Sequence, residues 1–153
     1  KLTNRSLFNE RLDSALRTSR RHKSALALLF LDINDFKDIN DVYGHAVGDR
    51  VLCVAARRLE ECVRETDTVA RMGGDEFTVL LTDIRSPGEI SEKVAHIVAV
   101  MAEPLGLEFG GITMPSCSIG VAIYPEDGED ADTLLSHADG DMYRVKRHRS
   151  AAR

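Results

Sequence analysis

Thr68-Val-Ala-Arg-Met-Gly-Gly-Asp-Glu-Phe-Thr-Val-Leu-Leu81 is the stretch on which the fold turns. Two short strand-like runs, 68–72 and 77–81, flank Gly73-Gly74-Asp75-Glu76, and paired glycines between such runs spell a β-hairpin. Adjacent glycines let the backbone take positive φ and let a ligand come close. Asp75 and Glu76 directly after them are hard oxygen donors suited to Mg²⁺. Taken alone, the same four residues are equally ordinary turn chemistry with solvated charges at the tip. Upstream, residues 25–31 read as a buried strand ending at Asp32, and open α/β sheets place ligands at such strand ends. If that strand lies beside the hairpin, Asp32, Asp75 and Glu76 form a cluster that is unfavourable unless cations or protons neutralise it. Two metal ions roughly 3.5–4 Å apart would satisfy it, the arrangement used for in-line attack at phosphorus.

Away from the hairpin the apolar period becomes helical. Leu7, Phe8, Leu12, Ala15 and Leu16 mark a first helix, closed by basic residues 17–23 in keeping with its dipole. A polar segment, 34–49, is punctuated by Gly44 and Gly48. Val47, Val51, Val54, Ala55, Leu59, Cys62 and Val63 then form the stripe of a long amphipathic helix. Ser86-Pro87 opens a helix carrying Ile90, Val94, Ile97, Val98 and Met101, which Pro104 ends. Residues 113–124 are a strand region broken by Pro115, Pro125-Glu126-Asp127-Gly128 is a turn, and a last helix spans about 131–148. The order predicts a single α/β domain, with a mixed, largely antiparallel central sheet flanked by helices.

At 153 residues the chain is one domain with a real core, 43% hydrophobic and 29% charged. A net charge of −5 argues against nucleic-acid binding, which needs a basic face. Cys53, Cys62 and Cys117 are odd in number and widely spaced, so neither a disulfide framework nor a zinc site is expected and a reducing cytoplasm fits. The longest apolar run, 25–31, is too short for a bilayer and no signal peptide is visible, so no membrane contact by this domain is expected. The abrupt start and the Ser150-Ala151-Ala152-Arg153 end suggest a domain, 1–153, excised from a longer protein that could itself be membrane-anchored. A Ca²⁺ loop over 32–41 fails, because Phe36 and Lys37 stand where an oxygen ligand and a glycine are needed. Walker A and Gly-x-Gly-x-x-Gly patterns are absent.

Four blocks, in order, resemble one family. Asp32-Ile-Asn-Asp-Phe-Lys-Asp-Ile-Asn-Asp-Val-Tyr-Gly-His-Ala-Val-Gly-Asp49 and Arg71-Met-Gly-Gly-Asp-Glu-Phe77 look like the GGDEF family of diguanylate cyclases. So do Ser118-Ile-Gly-Val-Ala-Ile-Tyr-Pro-Glu-Asp-Gly128 and Ala138-Asp-Gly-Asp-Met-Tyr-Arg-Val-Lys146. The resemblance runs from about Leu2 to Lys146 and implies a fold like the palm of adenylate cyclases and polymerases. It implies condensation of two GTP into cyclic di-GMP and pyrophosphate, on two Mg²⁺ ions per site with Mn²⁺ as a substitute. Asp32, the Ile33 carbonyl, Asp75 and Glu76 would hold the metal. Asp75, directly or through a water, would help deprotonate the attacking ribose 3′-hydroxyl.

By the same resemblance Phe36, Lys37, Asn40, His45, Asp49, Gly74 and Lys146 bind GTP. Asn40 and Asp49 would read guanine, whose N1–H and N2–H suit a carboxylate as adenine's edge does not. Asp49 as a dipole-favoured residue of a first helical turn, and Lys146 as a solvated residue of a basic helix end, are the plainer alternatives. His45 serves a structural role equally well. Arg64-Glu-Thr-Asp67 matches an inhibitory product site; the pattern is weak alone and gains weight from its place upstream of Arg71. Each site of the family holds one GTP, so a homodimer is implied, and the 124–128 block resembles that of proteins fused to phosphodiesterase domains. Sensory fusions are expected as well.

The chain also departs from the pattern. Arg147-His148-Arg149-Ser150 replaces a Gly-Arg-Asn ending, so a second phosphate-binding arginine is missing or displaced. Gly140-Asp141 puts glycine in mid-helix, at a cost of about 1 kcal/mol against alanine. Residues 1–5 carry only the tail of the family's opening block, and no second arginine stands in the helix of Ile90 and Met101 to complete the inhibitory site. The rival expectation, from another class, is a GTP or cyclic di-GMP sensor without catalysis; the intact Gly73–Phe77 turn favours the enzyme.

Overall fold

A computed structural model describes residues 3–151; residues 1, 2, 152 and 153, the extremities of the expected 1–153 domain, lie outside the described residues. The elements are α1 (Arg5–His22), β1 (Ala25–Ile33), α2 (Phe36–Tyr43), α3 (His45–Cys62), β2 (Thr68–Gly73), β3 (Glu76–Ile84), α4 (Pro87–Met101), β4 (Cys117–Tyr124) and α5 (Ala131–Ala151), with a 3₁₀ turn at Leu107–Phe109. The strands form one sheet in the order β2-β3-β1-β4. All three ladders are antiparallel, and a lone parallel bridge joins Thr3 to Ala70. The expected sheet flanked by helices is thus observed.

The apolar run of β1 has no polar face because both of its faces are covered. Ala27, Leu29, Leu31 and Ile33 pack with Val51, Leu59, Ile90 and Ile97 of α3 and α4. Leu26 and Leu28 pack on the other side with Phe8, Leu12 and Leu16 of α1 and Leu134 and Ala138 of α5. The Asn4 carboxamide caps α1 by accepting from the Leu7 N–H at 2.8 Å. Pro87 stands at the first positions of α4, where a missing N–H costs nothing. At the other end of α4, the Arg58 guanidinium donates to the carbonyls of Val100, Met101, Glu103 and Pro104. No helix of the described residues is long and apolar enough to cross a membrane.

Three expectations need correction. The polar segment 34–49 is mostly helix: α2 and the start of α3, separated at Gly44, whose φ of 91° no other residue takes easily. Only Ile39 of α2 is buried, and a run so rich in Asp and Asn has weak helix propensity, so periodicity could not reveal it. What holds it is tertiary. A Cβ on Gly48 would stand 1.9 Å from Asn40 Oδ1, so the Asn40 side chain packs into the space that residue 48 leaves empty. Within 113–124 only Cys117–Tyr124 is strand. Finally, α5 runs on to Ala151 despite Gly140.

Asp141 has a tertiary reason, whereas Gly140 is crowded by nothing but the Arg144 side chain at 3.9 Å. Asp141 Oδ2 accepts the Val121 N–H at 2.8 Å, satisfying a donor on the edge strand β4. The helix lies directly on that strand: a Cβ on Gly120 would be 2.1 Å from the Ala138 carbonyl oxygen and the Met142 nitrogen. This close contact fixes where the C-terminal half of α5, and Lys146 with it, meets the sheet.

Candidate active site

The bend between β2 and β3 is held to the end of β1 by backbone. Asp32 stands opposite Glu76 in the ladder, and the Ile33 N–H donates to the Asp75 carbonyl at 3.2 Å. Gly73 and Gly74 have φ of 154° and 51°, and nothing lies within 4 Å of where a Cβ would point at either. The bend is therefore open to a close approach. Arg71 Nε donates to the Gly74 carbonyl at 2.9 Å and stiffens it.

The ladder brings the three carboxylates to the same end of the sheet. Asp32 is buried, 6% exposed, and Asp75 and Glu76 are half-buried beside it. Burial, then the hydrogen bond to Asp32 and its charge, push the Asp75 carboxyl up to about 6, while Lys146 pulls the other way. Burial and the charges of Asp32 and Asp139 also raise Glu76. A carboxyl with a raised native pKa holds more protons folded than unfolded between its two values. Folding stability from Asp75 is therefore lost as pH rises from the ordinary aspartate value of 3.8 through about 6. In metal-free protein, Asp75→Asn should melt progressively higher than the parent across that interval and no higher below it. Melting curves at stepped pH check this, and a constant difference would show that Asp75 is not strained.

Two cations reach the cluster from α5. Lys146 Nζ donates to Asp32 Oδ2, and Arg149 Nη2 donates to Asp35 Oδ2 at 2.9 Å. The other oxygen of Asp32, Oδ1, is buried and accepts from no amide, amine or hydroxyl. An unsatisfied buried carboxylate oxygen beside two more carboxylates is a donor set that fits a hard divalent cation. Among the described residues, however, no three such groups already close round one point. Alongside lies an open cleft of about 610 Å³, lined by Asp32 and Glu76 from the sheet and by Asp139, Met142, Tyr143, Lys146 and Arg147 from α5.

Phe36 and Lys37 open α2, four and five residues past Asp32, where first-turn N–H groups lie outside the helical ladder. Asp35 at the N-cap has φ 57° and makes no side-chain cap bond. Asn40 packs on Gly48, so Asn40 and Asp49 share the α2–α3 seam; Asp49 and His45 are exposed. These residues sit on the helix pair rather than on the sheet.

Arg64 and Asp67 lie at the far end of the hairpin from the bend, some six residues of strand or roughly 20 Å away. The resemblance makes Asp67 part of a product site, but its side chain is fully buried and its oxygens are engaged. Oδ2 accepts the Arg64 N–H at 2.9 Å and Oδ1 the Thr82 N–H at 3.1 Å, so Asp67 closes the turn. Arg64, half-exposed, is the member of the pair that a ligand can reach.

Sequence reasoning missed the residues that aim the β1–α2 junction. Buried Asn34 donates from Nδ2 to Ser116 Oγ at 2.9 Å, accepts from Ser118 Oγ at 2.8 Å, and its N–H reaches the Ser116 carbonyl. The partners lie more than 80 residues away, so no local signal marks them. Asp35 and Arg149 escaped for the same reason.

The sequence model described as diguanylate cyclase, GGDEF domain, matches residues 1–152. The chain is 43% identical over 152 residues to diguanylate cyclase TpbB of Pseudomonas aeruginosa, covering 99% of this chain but 35% of that protein. To MucR of the same organism, a bifunctional diguanylate cyclase/cyclic di-GMP phosphodiesterase, it is 40% identical over 95% of this chain and 21% of that one. The chain thus spans about a third or less of the length of these relatives. The crystal structure of the GGDEF domain of TpbB superposes with a TM-score of 0.92 at 44% identity, over 97% of this chain and 92% of that domain. By its sequence over nearly its full length, and by its fold, the chain belongs to the GGDEF family of diguanylate cyclases.

Proposed function

We propose that this chain condenses two GTP molecules into cyclic di-GMP with release of pyrophosphate. The observation that carries this reading is the meeting of Asp32, Asp75 and Glu76 at one sheet end, with Asp32 Oδ1 buried and accepting from no amide, amine or hydroxyl. Asp32, the Ile33 carbonyl, Asp75 and Glu76 are the residues to hold two Mg²⁺ ions, or Mn²⁺ in their place. Such ions would neutralise the carboxylates and polarise the phosphates. Asp75, directly or through a water, would help take the ribose 3′-hydroxyl proton. Phe36 and Lys37 offer N–H groups and an ammonium to phosphate, Gly74 lets it approach, and Lys146 adds a second cation. Asn40 and Asp49, with His45 beside them, face the base.

The test is direct: purified chain with GTP and Mg²⁺ should yield cyclic di-GMP and pyrophosphate. GTP binding without product at high protein concentration would favour the rival reading, a nucleotide-sensing module. The engagement of Arg149 with Asp35, rather than a free arginine in the family's place, is the observation on that side. Each site holds one GTP, so the active form is a homodimer. Activity per chain should rise with concentration, and strict proportionality into dilute monomer would rule this out. Arg64→Ala should raise the product concentration needed for half-inhibition by about tenfold, the scale of one charge-assisted hydrogen bond, with the initial rate little changed. Unaltered inhibition would remove Arg64 from any inhibitory site. A cytoplasmic setting and fusion to sensory or phosphodiesterase domains complete the reading.

A further inference from the structure

The carboxylate cluster already contains a cation, and it belongs to the chain. Lys146 Nζ donates to Asp32 Oδ2, with side chains 36% and 9% exposed respectively. Three residues on, Arg149 pairs with Asp35, so the last turns of α5 are pinned to the β1–α2 junction at two points. Asp32 Oδ1, in the same carboxylate, stays buried and accepts from no amide, amine or hydroxyl.

We propose that the Lys146 ammonium is a resident counter-ion which opposes divalent metal at Asp32, so that metal binding is strengthened when Lys146 swings off toward phosphate. This rests on the metal-site reading above and deepens it. An ammonium can only donate, so it quenches the charge of Asp32 without serving as a ligand. A divalent cation at that carboxylate would repel the ammonium a few ångströms away. The flexible four-carbon stem lets the ammonium move at little cost, and the side chain, 36% exposed, already lines the cleft. Drawing Lys146 to an anion therefore favours metal, and metal favours the anion, by the same factor.

The experiment measures Mn²⁺ binding to nucleotide-free protein, from the paramagnetic resonance signal of free Mn²⁺. Lys146→Met should bind about five-fold more tightly than the parent, the scale of a partly exposed ion pair. Arg147→Met removes the same unit of charge from the same cleft but breaks no bond to Asp32, and should leave the affinity near the parent's. In the unmodified protein, acylation of Lys146 read by mass spectrometry should rise when Mg²⁺ is added. Lys93, which donates to the distant Cys62 carbonyl, should not change. Equal tightening in both variants would reduce the effect to a general field and overturn the proposal. So would Mn²⁺ binding to Lys146→Met no tighter than to the parent, or Lys146 labelling indifferent to Mg²⁺. Absence of Mn²⁺ binding from all three proteins would overturn the metal site as well.

Discussion

Replacing Asp75 by alanine is expected to cut cyclic di-GMP formation by about 10⁴-fold, since one side chain is lost both as ligand and as proton acceptor. The fold should survive, for a reason visible in the structure. The bond that ties the bend to β1 uses the Asp75 carbonyl, not its carboxyl. Removing the carboxyl also relieves the repulsion and burial that hold it near 6. The variant should therefore melt no lower than the parent at neutral pH without metal. Steady-state turnover and a melting curve on the same preparation check both halves. A variant retaining a tenth of the parent's rate would show that Asp75 neither holds metal nor takes the proton.

Replacing Asp49 by alanine should act on recognition instead. A carboxylate accepting two donors from guanine contributes on the scale of charge-assisted hydrogen bonds, so kcat/KM for GTP should fall by about 100-fold, mostly through KM. Discrimination against ATP should collapse by a similar factor, because the residue that adenine cannot satisfy is gone. Asp49 is exposed on α3 and bears on no core contact, so stability should hold within the range of ordinary surface substitutions. Competition between GTP and ATP is the deciding measurement. Unchanged preference would return Asp49 to the plainer role of a dipole-favoured residue in an early helical turn.

How far the sequence carried can be judged at particular residues. The hairpin was legible because its signals are local: two strand-like runs, paired glycines, and carboxylates directly after them. Strand β1 was legible because an apolar run ending in aspartate says both where the chain is buried and where it emerges. Helix α2 was not, because it has one buried side chain and exists through Asn40 packing on a glycine in the next helix. Asp67 was placed in a product site by resemblance, and the Arg64 N–H together with the Thr82 N–H of the neighbouring strand turns it inward.

By itself the sequence determined the glycine turn, the two acids directly after it, and the family's order of helices and strands. Those follow from backbone preference and from apolar period, which act over a few residues. Tertiary structure alone decided that Lys146, 114 residues from Asp32, neutralises it, and that Asp32 Oδ1 accepts from no amide, amine or hydroxyl. It also decided that Asp75 sits near 6. Charge state and hydrogen-bond partners depend on desolvation and on what long-range strand pairing brings within about 3 Å, and neither is encoded in any one segment.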